Sequence, residues 1–446
     1  MTVFKYRKML NLRSLLPDES GDVSKVLGGT LFRNLIRGVL KILIAGFLTP
    51  RALGVMRAVI SLFKIAGSLA EFGLDRALVV FVGAAIGDAD IQGKDLILKT
   101  ILMIKAVILA VLLVAGNIFA ENIARWTLGD PGMTIYVRLI FIGVGGQLLW
   151  KFISGYLSAH RQFTRLAFFH TTMPLLMLTT AILLIGFDAF DVQTGILIYL
   201  LAPAVTAAIW WSSLNRRFLK CPGWRAGLTN TIVRFSRWIY LTGIASSVRN
   251  HINPLLLKNP GLSGSVTAGE VNTGLYSFGN DLANEIAVVS ESLFTVWLPK
   301  AAGCSEIGQL RQFVRRAYLN LAMLMIPLLL FMFAVKPMLY ALAYFRADYL
   351  AYLPSLSVFK ILYVGTLFSL AALPMTTALY ALKLPHIESA IECVMIVILV
   401  VSSLLLIPRY GTIGAAMAAL IQRVVSFLYV FSYGCIKLRK TEMEKQ

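Results

Sequence analysis

Charge is scarce in this chain: 14% of its 446 residues are charged, against roughly 25% in a typical soluble domain. That excludes a string of water-soluble domains. The four cysteines (Cys221, Cys304, Cys393, Cys435) have no CxxC spacing, and there are only four histidines. A disulfide framework, a cysteine metal site and an imidazole-rich metalloenzyme are all excluded. The sequence has no Walker A loop, HExxH, GxSxG or GxGxxG. ATP-driven transport within the chain and the common hydrolase and dinucleotide chemistries therefore lack a signature, and no cofactor is expected. Acids are the rarest charged class, 22 against 42 Lys and Arg, leaving a net charge of +20. In a soluble protein that surplus would indicate nucleic acid; in a membrane protein its meaning depends on depth in the bilayer.

Apolar residues are abundant, at 58%, and arrive in runs of about 20, the length of a membrane-spanning helix. Reading these runs between turn and charge clusters predicts twelve spans, near 26–48, 55–85, 97–116, 134–157, 166–186, 194–213, 232–257, 273–298, 318–335, 354–381, 387–407 and 412–436. The fold class is all-α integral membrane, about 12 transmembrane helices in two six-helix lobes around a central cavity. The first 25 residues carry five cations and no apolar core with a cleavage site, so they read as a cytoplasmic arm rather than a signal peptide. On this topology 24 Lys and Arg fall on the N-terminal side and six opposite, and the positive-inside rule places both termini in the cytoplasm. Net charge is then +15 inside, 0 outside and +5 within the spans. No outside loop reaches twenty residues, too short for a catalytic module.

The basic segment 215–231 divides the chain. It predicts a cytoplasmic arm at 1–25, an N-terminal six-helix lobe at 26–214, the linker at 215–231, a C-terminal six-helix lobe at 232–436 and a cytoplasmic tail at 437–446. A short internal echo supports a duplication: Thr49 to Gly54 before span two resembles Gly269 to Gly274 before span eight, an offset of 220 that sets Glu71 opposite Glu291. Repeated halves with a site between them are common in secondary transporters.

Twelve Lys and Arg lie inside the predicted spans, with Lys99, Arg234 and Arg237 at the span edges counted to the adjoining loops. Each would cost about 2.5 to 3.5 kcal/mol if it faced lipid at the bilayer centre, so most must snorkel, pair or face water. Arg76, Arg138 and Lys151 lie near span ends, where snorkelling to headgroups is favoured. Arg33, Arg37 and Lys41 recur every four residues on one face of span one, which has no acid. They are expected to line a cationic cavity, with Lys64 of span two beside them and Arg249 and Lys360 from the second half. The first six spans hold nine cations and two acids, the last six three cations and five acids. Glu71, Asp281, Glu285 and Glu291 are candidates for ion coupling, to H+ or Na+. The alternative, pairing of the second-half acids with Arg249, Lys360 and Arg423, is slightly favoured.

Leu53-Gly54-Val55-Met56-Arg57 followed by Ala70 to Val79 resembles the second-helix pattern of the polysaccharide-repeat lipid flippases, the O-antigen transporter (Wzx-type) branch of the multidrug/oligosaccharidyl-lipid/polysaccharide (MOP) superfamily. Gly274-Leu275-Tyr276-Ser277, Pro374 to Leu382 and Tyr410 to Ala416 are similar to its recurrent elements, and the resemblance covers essentially the whole chain. It implies a flippase of the cytoplasmic (inner) membrane, not an enzyme, carrying an undecaprenyl-diphosphate-linked oligosaccharide for O-antigen, capsule or exopolysaccharide export. Its expected partners are membrane lipids and a polysaccharide polymerase with its chain-length machinery. Two alternatives stay open: a multidrug exporter of the same superfamily, and a membrane glycosyltransferase or polymerase using the same lipid-linked donor.

Overall fold

A computed structural model describes residues 16–443 except 88–89, 222, 224, 303–306 and 383–384; the side chains of 16–31, 385–390 and scattered others, Glu291 among them, lie outside the described residues. Among the described residues there are helices and turns and no strand. The first leg is α1 (Leu16–Phe47). Thr49 then caps α2 (Pro50–Glu71), its hydroxyl accepting from the Ala52 amide, with Pro50 in the first turn where its missing N–H costs nothing. Phe72 and Gly73 both take positive φ and break the leg before α3 (Leu74–Gly87). After α4 (Ile91–Ile118) and a short α5 (Ala120–Ile123) come α6 (Thr134–Ala159), α7 (Phe163–Gly186) and α8 (Val192–Trp211), which Asp191 and Thr194 start with a reciprocal capping box.

The second half repeats that plan. It runs through α9 (Ala226–Lys258), a one-turn α10 (Pro260–Ser263), α11 (Val266–Asn284) and α12 (Ala287–Ala302). Then follow α13 (Ile307–Phe345), α14 (Ser355–Ala381) and α15 (Pro385–Met443), which turns at Gly411 with φ 55° and ψ −126°. Among the described residues eight helices, α15 counted once, are by themselves long and apolar enough to cross a membrane. Counting the two limbs of α15 separately and adding α1, the polar α9 and the broken leg α11–α12 gives the twelve expected legs. The broken second leg and the bend in α15 fall where the chain supplies a Gly with positive φ, a conformation that costs other residues about 1–2 kcal/mol.

Within the first half, α1 packs on α7, α6 on α8 and α2, and α3 on α4; within the second, α14 packs on α11, α12, α13 and α15. Between halves, α2 lies against α9 and α11. The apolar core shows how the halves meet. One cluster runs unbroken through both, from Ile44, Leu53 and Phe63 to Tyr352, Phe359 and Ala415. Toward the other end it divides into two separate clusters, one in the first half around Leu78, Phe152 and Phe218, the other in the second half around Leu310, Met375 and Leu438. The protein is thus sealed at one end and parted at the other.

Candidate functional site: a polar cavity between the halves

Glycines close the sealed end. A Cβ on Gly54 would overlap the Glu270 carbonyl, and one on Gly274 would overlap the Pro50 carbonyl. α2 and α11 therefore touch backbone to backbone, through the two glycines that the 220-residue echo pairs. Beside them Glu270, 5% exposed, bridges the halves by accepting from Arg51 at 2.6 Å and from the fully buried Lys258 at 2.6 Å. Further in, Arg57 of α2 pairs with Asp281 of α11, and Lys41 of α1 reaches Glu285 at 3.0 Å and Asp281 at 3.5 Å.

Where the core divides, a cavity of about 830 Å³ opens between the halves. Lys64, Ser68 and Glu71 of α2 line it, at spacings of four and three that keep them on one helix face, and Asp75 of α3 joins them from beyond the break at Phe72–Gly73. Gln147 and Lys151 enter from α6, one turn apart. Opposite stand Tyr240, Ser246, Ser247, Asn250 and His251 of α9, with Tyr380 and Glu392 from α14 and α15. At its inner edge the halves are stitched by two hydrogen bonds: Ser68 Oγ donates to the Gly243 carbonyl at 3.1 Å and Ser247 Oγ to the Lys64 carbonyl at 3.3 Å.

The electrostatics of this lining are lopsided. Its acids are Glu71, Asp75 and Glu392, and each is matched. Lys151 lies 2.7 Å from Glu71, the buried Lys105 meets Asp75, and Arg249 lies 3.0 Å from Glu392. The lining also holds Lys64 and Arg76, and neither forms an ion pair with a described residue. A polar space of this size with surplus cations and, among the described residues, no free carboxylate favours an anionic, hydrogen-bonding guest.

The residues singled out from sequence fall into distinct places. Lys64, Arg249 and Glu71 line the cavity. The span-one stripe does not: Arg33 bonds His170 Nδ1 at 3.1 Å within the first half, and that ring bonds Ser154 at 2.7 Å through Nε2. Lys41 crosses to Asp281 and Glu285 around a small pocket of about 30 Å³, and Arg37, one turn from each, is half-buried and engaged as well. Lys360 is exposed on α14, apart from the cavity lining. Asp281 and Glu285 sit in the inter-half ion pairs, and the Glu291 side chain is outside the described residues. Of the expected second-half pairs, Arg249–Glu392 forms. Arg76 and Lys151, expected to snorkel, instead line the cavity. For Lys151 the signal was available, since it follows Gln147 by one turn, but proximity to a span end outweighed it; Arg76 lies beyond the break at Phe72–Gly73, where helical spacing from Lys64 carries no information.

The profile of a family described as polysaccharide biosynthesis protein matches residues 43–347, more than half of the chain. The chain belongs to that family. No curated protein matches the chain in sequence. Solved structures match its fold throughout. An inward-facing multidrug resistance MATE family transporter of the MOP superfamily is 14% identical, with a TM-score of 0.73 over 92% of this chain and 96% of the other. Lipid II flippase MurJ, in an inward closed conformation, is 14% identical with a TM-score of 0.71 over 91% and 86%. A MOP superfamily transporter from Pyrococcus furiosus, described by the reversed polarity of its binding pocket, is 13% identical with a TM-score of 0.59 over 94% and 95%. The chain thus has the fold of these MOP-superfamily transporters.

Proposed function

We propose that this protein is a flippase, not an enzyme, that carries an undecaprenyl-diphosphate-linked oligosaccharide across the cytoplasmic membrane by alternating access, for O-antigen, capsule or exopolysaccharide export. The observation that carries the proposal is the lining in which every acid is matched and Lys64 and Arg76 are not. A diphosphate needs such cations within reach, and Ser68, Gln147, Ser246, Ser247 and Asn250 supply hydrogen bonds for sugar hydroxyls. The lipid tail stays in the bilayer. A multidrug exporter of cationic compounds is less well served, because the carboxylates it would use are engaged.

With the positive-inside assignment, the parted end faces the cytoplasm and the cavity is loaded from there. Outward movement of a charge of about −2 down an inside-negative potential is favoured by roughly 4.6 kcal/mol per 100 mV if it crosses the full field. A driving ion, H+ or Na+, would act at Asp281 and Glu285, because protonating or capturing these acids loosens their pairs with Arg57 and Lys41 across the halves.

The test is purified protein in liposomes with a fluorescent lipid-diphosphate sugar and a potassium-diffusion potential. Wild type is expected to translocate the lipid, faster with the potential; Lys64→Gln is expected to be slower by about tenfold or more, the loss of one charge-assisted bond. No translocation by wild type sinks the flippase reading, and export of a cationic dye in its place establishes the rival.

A further inference from the structure

Behind the central cavity, inside the second half, lies a second pocket of about 140 Å³. Three helices supply it at helical spacing: Ser369, Ala372, Thr376 and Leu379 of α14, Glu392 of α15, and Arg423, Ser426, Phe427 and Val430 further along α15, closed off by Arg249 of α9. The Arg249–Glu392 pair and Tyr380 belong to both linings, so that pair is the partition between the two spaces.

Arg423 is the unusual member. Its Nη1 donates to the Leu362 carbonyl at 2.8 Å and to Thr366 Oγ1 at 2.6 Å, and its Nη2 to Asn284 Oδ1 at 3.4 Å. All three acceptors are neutral, so the guanidinium is fixed in place but its charge is unmatched by any described acid. Two of its five N–H donors, Nε–H and one on Nη2, remain for a guest. The pocket therefore holds two guanidiniums and one carboxylate, a surplus of one positive charge at membrane depth, where an uncompensated cation is costly. Its volume equals about five waters at roughly 30 Å³ each, room for one small anionic group and part of a ring, not for an oligosaccharide. The hydroxyls of Ser369 and Thr376 turn to carbonyls of their own helix and can rotate toward a ligand, and Phe427 offers an apolar face.

We infer that this pocket receives the carboxylate of an acidic sugar, so that the cargo's carbohydrate head carries negative charge beyond its diphosphate. The inference rests on the flippase reading for its cargo. The diphosphate is tied to a lipid tail that stays in the bilayer and meets Lys64 and Arg76 in the main cavity. A group that passes the Arg249–Glu392 partition into the second half must come from the untethered sugar end. A carboxylate suits Arg423, which presents donors from a planar fork to a single small anion.

The experiment is saturation-transfer NMR on the purified full chain in detergent with D-glucuronate, D-glucose and inorganic phosphate as probes. Glucuronate is expected to bind and glucose to bind at least about tenfold more weakly, one charge-assisted interaction apart. Arg423→Gln is expected to remove that preference, while Lys64→Gln keeps it. Ser426→Trp, which fills the pocket and leaves Arg423 in place, is expected to abolish glucuronate binding; this variant decides the matter if Arg423→Gln fails to fold. Equal binding of the two sugars, preference unchanged in Arg423→Gln or Ser426→Trp, or displacement of glucuronate by equimolar phosphate overturns the inference. Absence of lipid-diphosphate translocation in liposomes sinks the flippase reading alone, since glucuronate binding is read without transport.

Discussion

The two ends of this molecule handle the same inter-half boundary in opposite ways. At the sealed end α2 and α11 meet backbone to backbone at Gly54 and Gly274, and Glu270 ties Arg51 to a fully buried Lys258. At the parted end the same α2 continues past Lys64 with a polar face that looks into the cavity across from α9. Small residues and matched charges hold the halves together at the sealed end; at the parted end the Ser68 and Ser247 hydroxyl bonds join them at the inner edge of the cavity, and the cations Lys64 and Arg76 form no ion pair with a described acid. The lesson is that closure here comes from shape and charge matching. The same side-chain types, Lys and Glu, occur at both ends, and the difference is whether a partner stands opposite.

That contrast can be broken most severely at Glu270. Glu270→Gln leaves Lys258 buried without a carboxylate, and removing one partner of a buried pair costs about 3–5 kcal/mol. The expected outcome is a large drop in melting temperature in detergent, with spin-label distances across the sealed end broadened; an unchanged melting temperature would mean that Lys258 finds water. Next in size is Gly54→Ala, whose added methyl meets the Glu270 carbonyl. Overpacking of this kind costs about 1–3 kcal/mol, and the same two measurements should show a widened sealed end with a smaller thermal loss. Lys64→Gln sharpens the comparison from the other side. With no ion pair to lose, it should leave stability within about 0.5 kcal/mol while slowing lipid translocation. The smallest effect belongs to Arg125→Ala, which deletes an exposed i,i+4 pair with Glu121 at 2.9 Å. Its expected cost is at most about 0.5 kcal/mol, a control showing that an ion pair outside the inter-half boundary contributes little.

Much of the architecture was legible before any coordinates. Twelve apolar runs predicted twelve legs because a helix must satisfy its own backbone in lipid, and the structure supplies them, with the second broken at Phe72–Gly73 and the last two joined as one bent helix. The 220-residue echo was also informative, since Gly54 and Gly274 are contacting mates. The site was legible only in part. Lys64, Arg249 and Glu71 line the cavity, but Arg33 and Lys41 share one face of α1 and still go to different partners, His170 in one half and Asp281 and Glu285 in the other. Helical periodicity assigns residues to a face; it cannot say which neighbour the face meets. Lys151 and Arg76 show the converse, because distance from a span end measures depth and is blind to direction.

The sequence by itself determined that this protein lives in a membrane, how many times its chain crosses, and that its first half is richer in cations. Those properties follow from local chemistry, the cost of burying a peptide group or a charge in hydrocarbon, which each segment meets alone. Only the tertiary structure decided which cations are spent on acids and which stay available. Pairing depends on side chains from legs far apart in the chain, such as Lys41 with Glu285 or Arg249 with Glu392, arriving within about 3–4 Å of each other. What remains after that pairing, Lys64 and Arg76 in the cavity and Arg423 in the pocket behind it, is set by the packing of the two halves.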